Sequence, residues 1–349
     1  MGKRREGVAT KRVLTGMRTT GSLHLGHYVG ALKQWREVQD SGEYECYFLL
    51  ADVQALTTHA DTPALLTQSV REVVLDWLAV GLDPNLKHVH FVLQSQVLER
   101  YELSVLFTMI ARYREVMHNP TLKAELKSQA EATMGFMNYP VDQVADIYMV
   151  SPIPPSRDDE LLVPVGRDQV PHLEYARILA RRFNRTYGPV FTPCKPLVGK
   201  VGRLVGIDGK AKMSKSLNNA IDLSDDAATV ESKVRRMFTD PKRTRADIPG
   251  DTRRNPVFVY HRAFNPNKRE VSDLGRRYRA GKVGDVEVKT RLARALNDFL
   301  DPIRQRREQY QSVDIREILE EGTGAAREAC LPVVERVREL MHLTYPASG

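Results

Sequence analysis

Three short apolar runs constrain the fold of this chain more than any other feature. Cys46–Asp52 (CYFLLAD), Val89–Ser95 (VHFVLQS) and Glu160–Gly166 (ELLVPVG) are almost continuously hydrophobic and lack the polar alternation of a half-exposed strand. Runs of this kind suit parallel strands covered on both faces. A shorter one, Arg12–Gly16, precedes them. Between them lie stretches with helical spacing: Leu25–Asp40, a segment that opens at Thr62-Pro63 and reaches Leu82, and Asp168 to about Tyr187. A proline is comfortable in a first helical turn. The βαβα order predicts an α/β fold, a Rossmann-like doubly wound parallel sheet with ligands at the C-terminal ends of its strands.

Beyond about Asp222 the pattern is helical throughout, and Val288–Tyr310 and Ala325–Leu343 repeat apolar residues at i, i+3 and i+4. A chain of 349 residues is long for one core. Two domains are therefore expected, a sheet domain over 1–223 and an α-helical domain over 224–349. The Pro-rich stretch Ser151–Asp159 (SPIPPSRDD) reads as a surface loop.

Charge is unevenly placed. The net charge is +8, and from Glu231 onward there are 25 Lys and Arg against 18 Asp and Glu, leaving the first 230 residues near neutral. A basic helical third favours a polyanionic partner docked there, although a solvated helical surface accounts for the charge equally well. No apolar run approaches the ~18–20 residues of a membrane span. The charged start, MGKRRE, does not read as a secretory signal. Cys46, Cys194 and Cys330 are too dispersed for a disulfide framework or a C-x-x-C zinc site, which suits a reducing cytoplasm.

Two words carry chemistry. Thr19–His27 (TTGSLHLGH) falls where the first strand turns into a helix. Gly21 permits a tight turn, Gly26 lets a ligand approach the helix, and the helix N-terminus favours phosphate. His24 and His27 share one helical face and can donate to phosphate oxygens. The second word, Lys212–Ser216 (KMSKS), lies in a polar loop flanked by Gly206, Gly209 and Asn218. Its lysines have no acidic neighbour within the word, and an anion such as a leaving pyrophosphate would hold them together. Tyr139, Gln143 and Asp146 share a third helical face, suited to a pocket wall.

The pair of words resembles the signature motifs of class I aminoacyl-tRNA synthetases. GHYVGAL at Gly26–Leu32, YPVDQVADI at Tyr139–Ile147, VPVGRDQ at Val163–Gln169 and ARRFN at Ala180–Asn184 resemble the bacterial tryptophanyl enzymes of the tryptophan/tyrosine subgroup. The resemblance covers nearly the whole chain. It implies a tryptophan–tRNA ligase that converts L-tryptophan and ATP into tryptophanyl-adenylate and pyrophosphate, then charges tRNA(Trp). His24, His27, Lys212 and Lys215 are its expected catalytic residues. The implied ATP site comprises Arg18, Thr19, Thr20, Gly26, His27, Gly166, Arg167, Asp168 and Leu204, with Lys212, Met213, Ser214, Lys215 and Ser216 of the loop. Asp168 would accept from the ribose, Leu204 would meet adenine, and Mg2+ would arrive with ATP without a dedicated protein site. Tyr139 and Gln169 would hold the amino acid's ammonium and Asp146 its indole N–H, with Gln143 beside them. The resemblance further implies a cytoplasmic homodimer whose helical domain reads the tRNA anticodon.

Three departures from the family pattern stand out. Thr19-Thr20-Gly21 replaces a Pro-Ser-Gly or Pro-Thr-Gly turn, the Ser151–Asp159 loop is longer than usual, and Gln143 replaces a methionine in a pattern shared with tyrosine enzymes. Leu14 and Arg18, which differ from the tyrosine enzymes' Tyr and Asp, favour tryptophan. The alternatives are a tyrosine-specific synthetase, another nucleotidyltransferase, and a non-catalytic paralogue that binds tRNA.

Overall fold

The computed structural model describes residues 10–127, 131–199, 204–210, 213–214 and 217–345. Its centre is a five-stranded, all-parallel sheet of β1 (Lys11–Arg18), β2 (Glu45–Ala51), β3 (Val89–Leu93), β4 (Glu160–Val165) and β5 (Cys194–Val198), in the order β3-β2-β1-β4-β5. The expected doubly wound α/β sheet is present. β5, whose Cys-Lys-Pro-Leu-Val sequence interrupts its apolar residues with Lys195 and Pro196, is an addition to the strands read from the sequence.

The continuous apolar runs are explained by burial on both faces. Along β2, Cys46, Phe48 and Leu50 enter one core, while Tyr47 and Leu49 enter the other. The first core is closed by Ala64–Val80 together with later helices such as Pro256–Phe264 and Asp285–Gln309. The second is closed by Glu99–Ile110, Met134–Tyr148 and Val170–Thr186.

The helices beyond residue 223 do not form the separate unit expected over 224–349. Those from Ala227 to Gln309 share the first core, but the last one, Ile315–Leu340, returns to the sheet. It runs along β3, where a Cβ on Gly322 would lie only 2.2 Å from the Phe91 carbonyl oxygen. Thr323 Oγ1 accepts the Leu93 N–H at 3.0 Å. This helix covers a strand edge that would otherwise be open to pairing with another chain.

The same topology opens a crevice. β1 matches β2 over seven residues but β4 over only Lys11–Val13 with Glu160–Leu162. Beyond that point the strands part, and Pro164 has no N–H to offer; Thr15 Oγ1 donates to its carbonyl at 2.6 Å instead. Successive strands are added on opposite sides of β1 here, so the parting lies at the topological switch point of the sheet.

Candidate active site

A cavity of about 860 Å³ fills the crevice between the C-terminal ends of β1 and β4. From the first word it is lined by Arg18, Thr20, His24, Gly26 and His27. Gly166, Arg167, Asp168 and Gln169 line it from the turn after β4, Leu204 and Met213 from the loop region, and Tyr139, Gln143 and Asp146 from the helix Met134–Tyr148. Thr19 and Ser214 are not on its wall. Thr19 is fully buried with its hydroxyl unpaired, and the Ser214 N–H is bound to Asn219 Oδ1 at 2.7 Å. Lys212, Lys215 and Ser216 lie outside the described residues.

The first word is built to aim its imidazoles. Gly21 takes φ +100°, a left-handed conformation that favours glycine. The two histidines cap the helix reciprocally: His24 Nδ1 accepts the His27 N–H at 3.3 Å, and His27 Nδ1 accepts the His24 N–H at 3.2 Å. Both Nδ1 lone pairs are thereby committed, so a neutral ring carries its proton on Nε2. The rings stack with centroids 3.7 Å apart. A Cβ on Gly26 would lie 2.9 Å from the His24 ring, so this stack needs a glycine there. A π-helical turn, Tyr28–Leu32, follows, a distortion frequent at functional sites.

The two distant words meet through backbone. The Leu25 N–H donates to the Ile221 carbonyl at 2.9 Å and the Leu223 N–H to the Leu23 carbonyl at 2.8 Å, forming a bridge at His24 and Asp222. This stitches the segment just after the lysine loop to the histidine turn. From below, Asp76 Oδ2 accepts the Leu23 N–H at 2.6 Å, while its Oδ1 pairs with Arg307 Nη1 at 2.6 Å. Asp76 is fully buried, so the turn rests on an ion pair shared with the late helix Asp285–Gln309.

The opposite wall is a network of side chains. The Asn119 carbonyl oxygen accepts the N–H groups of Thr121 and Leu122, which turns its amide nitrogen toward His172 Nδ1, 3.2 Å away. Burial pushes the His172 imidazole down to about 4, so the ring is neutral and its Nε2–H donates to the Tyr139 hydroxyl at 3.2 Å. Tyr139 in turn donates to Glu125 Oε2 at 2.6 Å. Burial and the Glu125 carboxylate both raise the phenol above its ordinary value. The chain of donors ends at a carboxylate on the cavity wall.

Asp146, also on that wall, is 3% exposed. Gln94 Nε2 donates to both of its oxygens, at 3.0 and 2.8 Å, and Arg100 Nε lies 2.7 Å from Oδ1. Burial lifts its carboxyl to about 6, and the Arg100 guanidinium beside it opposes the rise. The side-chain oxygen of Gln143 is buried without a partner.

Gln94, Arg100, Glu125 and His172 were absent from the sequence reading. Only Arg100 left a signal: it occupies the position of the helical repeat otherwise held by buried Leu103, Ser104 and Phe107. A cation on such a face requires a buried anion opposite.

Known proteins resemble this chain over nearly its whole length. The family model described as tRNA synthetases class I (W and Y) matches residues 9–301. A tryptophan–tRNA ligase of Treponema pallidum is 48% identical, with 95% of this chain and 97% of the relative covered. One from Chlamydia caviae is 44% identical over 96% of each. A solved tryptophanyl-tRNA synthetase from Campylobacter jejuni, complexed with ADP and tryptophan, superposes with a TM-score of 0.80 at 28% identity, covering 95% of this chain and 99% of that one. The chain therefore belongs to the class I tRNA synthetases of the tryptophan and tyrosine group, among the tryptophan–tRNA ligases.

Proposed function

We propose that the chain is an ATP-dependent tryptophan–tRNA ligase and that this cavity is where it forms tryptophanyl-adenylate. The observation that carries the reading is the parting of β1 from β4, which gathers the histidine turn, the Gly166–Gln169 turn and the Tyr139–Asp146 helix face around one space. The tyrosine-specific, nucleotidyltransferase and non-catalytic alternatives give way to it.

ATP lies along the histidine turn, with Asp168 at the ribose and Leu204 and Met213 beside adenine. Arg18, Thr20, Gly26, Gly166 and Arg167 shape its bed, and Mg2+ enters with ATP as part of the substrate. Tryptophan points its indole toward Asp146 and Gln143, while Tyr139, Gln169 and Glu125 surround its ammonium. Its carboxylate attacks the α-phosphorus, forming a mixed anhydride as the bond to pyrophosphate breaks. No protein nucleophile is required, so catalysis is positioning and charge stabilisation. The imidazoles of His24 and His27 steady the phosphates, and Lys212 and Lys215 stabilise the leaving group. The 3′-terminal ribose of tRNA(Trp) then takes the acyl group and AMP leaves.

Highly exposed arginines such as Arg235, Arg276 and Arg294 support tRNA binding on the helices from Ala227 to Gln309. A stripe of exposed Leu98, Tyr101, Val105 and Met109 on one helical face supports a second copy of the chain docking there. No described helix is long and apolar enough to cross a membrane. Work in the cytoplasm follows from a role in protein synthesis. Pyrophosphate exchange with each amino acid, followed by tRNA charging, tests the proposal. Exchange driven by tryptophan far above tyrosine is expected, and a preference for tyrosine would overturn it.

A further inference from the structure

Behind the tryptophan end of the cavity lies a charge that does not reach it. Arg100 is 0% exposed and is not on the cavity wall. Its Nε stands 2.7 Å from Asp146 Oδ1 and its Nη2 2.5 Å from Asp142 Oδ1. Asp142 also accepts from Ser104 Oγ at 2.7 Å, and the carbonyl oxygen of Gln94, whose amide grips Asp146, accepts the Gln54 N–H at 3.1 Å. The approach of Arg100 Nε to Asp146 is close but off the axis of a hydrogen bond, and Nη1 has no partner. The contact is therefore chiefly electrostatic. Its desolvation is costly, and an apolar residue would fill the same site more cheaply.

We infer that Arg100 is a specificity-determining positioning residue, which holds Asp146 as an ionised acceptor facing the indole N–H. The inference rests on the reading of Asp146 as the indole acceptor. Indole N–H is only a donor, so it needs an acceptor, and a carboxylate makes the stronger charge-assisted bond. Asp142 and Asp146 lie one helical turn apart on the same helix and repel each other. Without a buried cation between them, one would take up a proton. A protonated Asp146 could offer its hydrogen to a phenol oxygen but would serve indole poorly, so loss of Arg100 erodes discrimination against tyrosine.

Among the described residues, three groups act most strongly on Asp146. Arg100 comes from the helix Glu99–Ile110, Asp142 from its own helix and Gln94 from the turn after β3. Cys330, from the helix Ile315–Leu340, is a further titratable group nearby, and burial pushes its thiol up to about 12, so it stays neutral. Arg100 is thus the cation that opposes burial and Asp142.

The test is tryptophan-dependent pyrophosphate exchange from pH 6 to 9 with full-length Arg100→Met, Arg100→Lys and the double variant Arg100→Met/Asp142→Asn. The double variant removes one buried negative charge with the cation, so the measurement survives if the single variant fails to fold. Arg100→Met should raise the KM for tryptophan about 10²-fold, leave the KM for ATP and the kcat within a few-fold, and move the acid limb of kcat/KM upward by at least one pH unit. The Lys variant should recover part of the loss. In the double variant the tryptophan KM should lie between wild type and the Met variant. An unchanged tryptophan KM and acid limb in the folded Met or double variant would overturn the inference. So would an equal loss across tryptophan, ATP and kcat, because that marks a merely structural role. Asp146→Asn, run in parallel, separates the two failures. If it leaves the tryptophan KM intact, the indole reading fails; if it raises KM while the Arg100 variants do not, only the role of Arg100 fails.

Discussion

The two ends of the cavity are built by different means. At the end proposed for the nucleotide the scaffold is backbone: a left-handed glycine, a helix start, two imidazoles pinned by main-chain N–H groups, and a bridge to Ile221–Leu223. At the amino-acid end it is side chains from five separate segments, meeting at Asp146 and Tyr139. Backbone donors suit phosphate, whose oxygens are alike and whose charge is large. Indole offers one N–H on an apolar ring, and distinguishing it from phenol takes a buried acceptor of set charge.

If that contrast is right, the two ends fail in different kinetic parameters. The largest effect is expected from Asp146→Ala, which should lower kcat/KM for tryptophan by about 10⁴ and collapse the preference over tyrosine, with the KM for ATP unchanged. Steady-state exchange with both amino acids checks it, and equal damage to ATP binding would erase the distinction between the ends. Next, Lys215→Ala and His27→Ala should each slow adenylate formation by about 10²–10³ while tryptophan affinity barely moves. Rapid-quench measurement of that step within a few-fold of wild type would remove the residue from the mechanism.

The pH response sharpens the same contrast. Below about pH 6 Asp146 takes up a proton, so kcat/KM for tryptophan should fall about tenfold per pH unit, while the KM for ATP should lack that limb. For stability the sign is opposite. The folded carboxyl sits above the ordinary aspartate value, so the native state binds the extra proton. Its ionised burial therefore costs stability above about pH 6, and acidification from 6 toward 4 relieves that cost. Urea unfolding across this range would show the opposed trends.

The smallest effect on rate is expected at the foot of the nucleotide end. Asp76→Asn breaks the pairing with Arg307 but retains an acceptor for the Leu23 N–H, so it should lower unfolding free energy by ~3 kcal/mol and exchange by less than tenfold. A larger catalytic loss without destabilisation would show that the turn depends on side-chain charge as strongly as the amino-acid end does.

Legibility followed the same division. The strands β1 to β4 were readable because burial on both faces writes an apolar run into consecutive residues. β5 was not, since Lys195 and Pro196 interrupt its five residues. The helix Ile315–Leu340 was expected only from Ala325, because Gly322 and Gly324 interrupt the helical spacing that Ile315, Ile318 and Leu319 begin. Of the residues expected at ATP, Arg18, Thr20, Gly26, His27 and Gly166–Asp168 line the cavity, whereas Thr19 is buried away from it and the Ser214 N–H is bound to Asn219.

By itself the sequence determined what is local: the parallel-sheet class, the histidine turn at a helix start, and the helix face carrying Tyr139, Gln143 and Asp146. Each is set by residues within a few positions of one another, through backbone geometry or helical period. Only the tertiary structure decided where β1 leaves β4, that the final helix seals β3, that Arg307 reaches Asp76 under the histidine turn, and that Arg100 and Gln94 grip Asp146. Those contacts join residues from 46 to 231 positions apart. A buried charge is stable only when its partner arrives from another element, and one sequence does not name that partner.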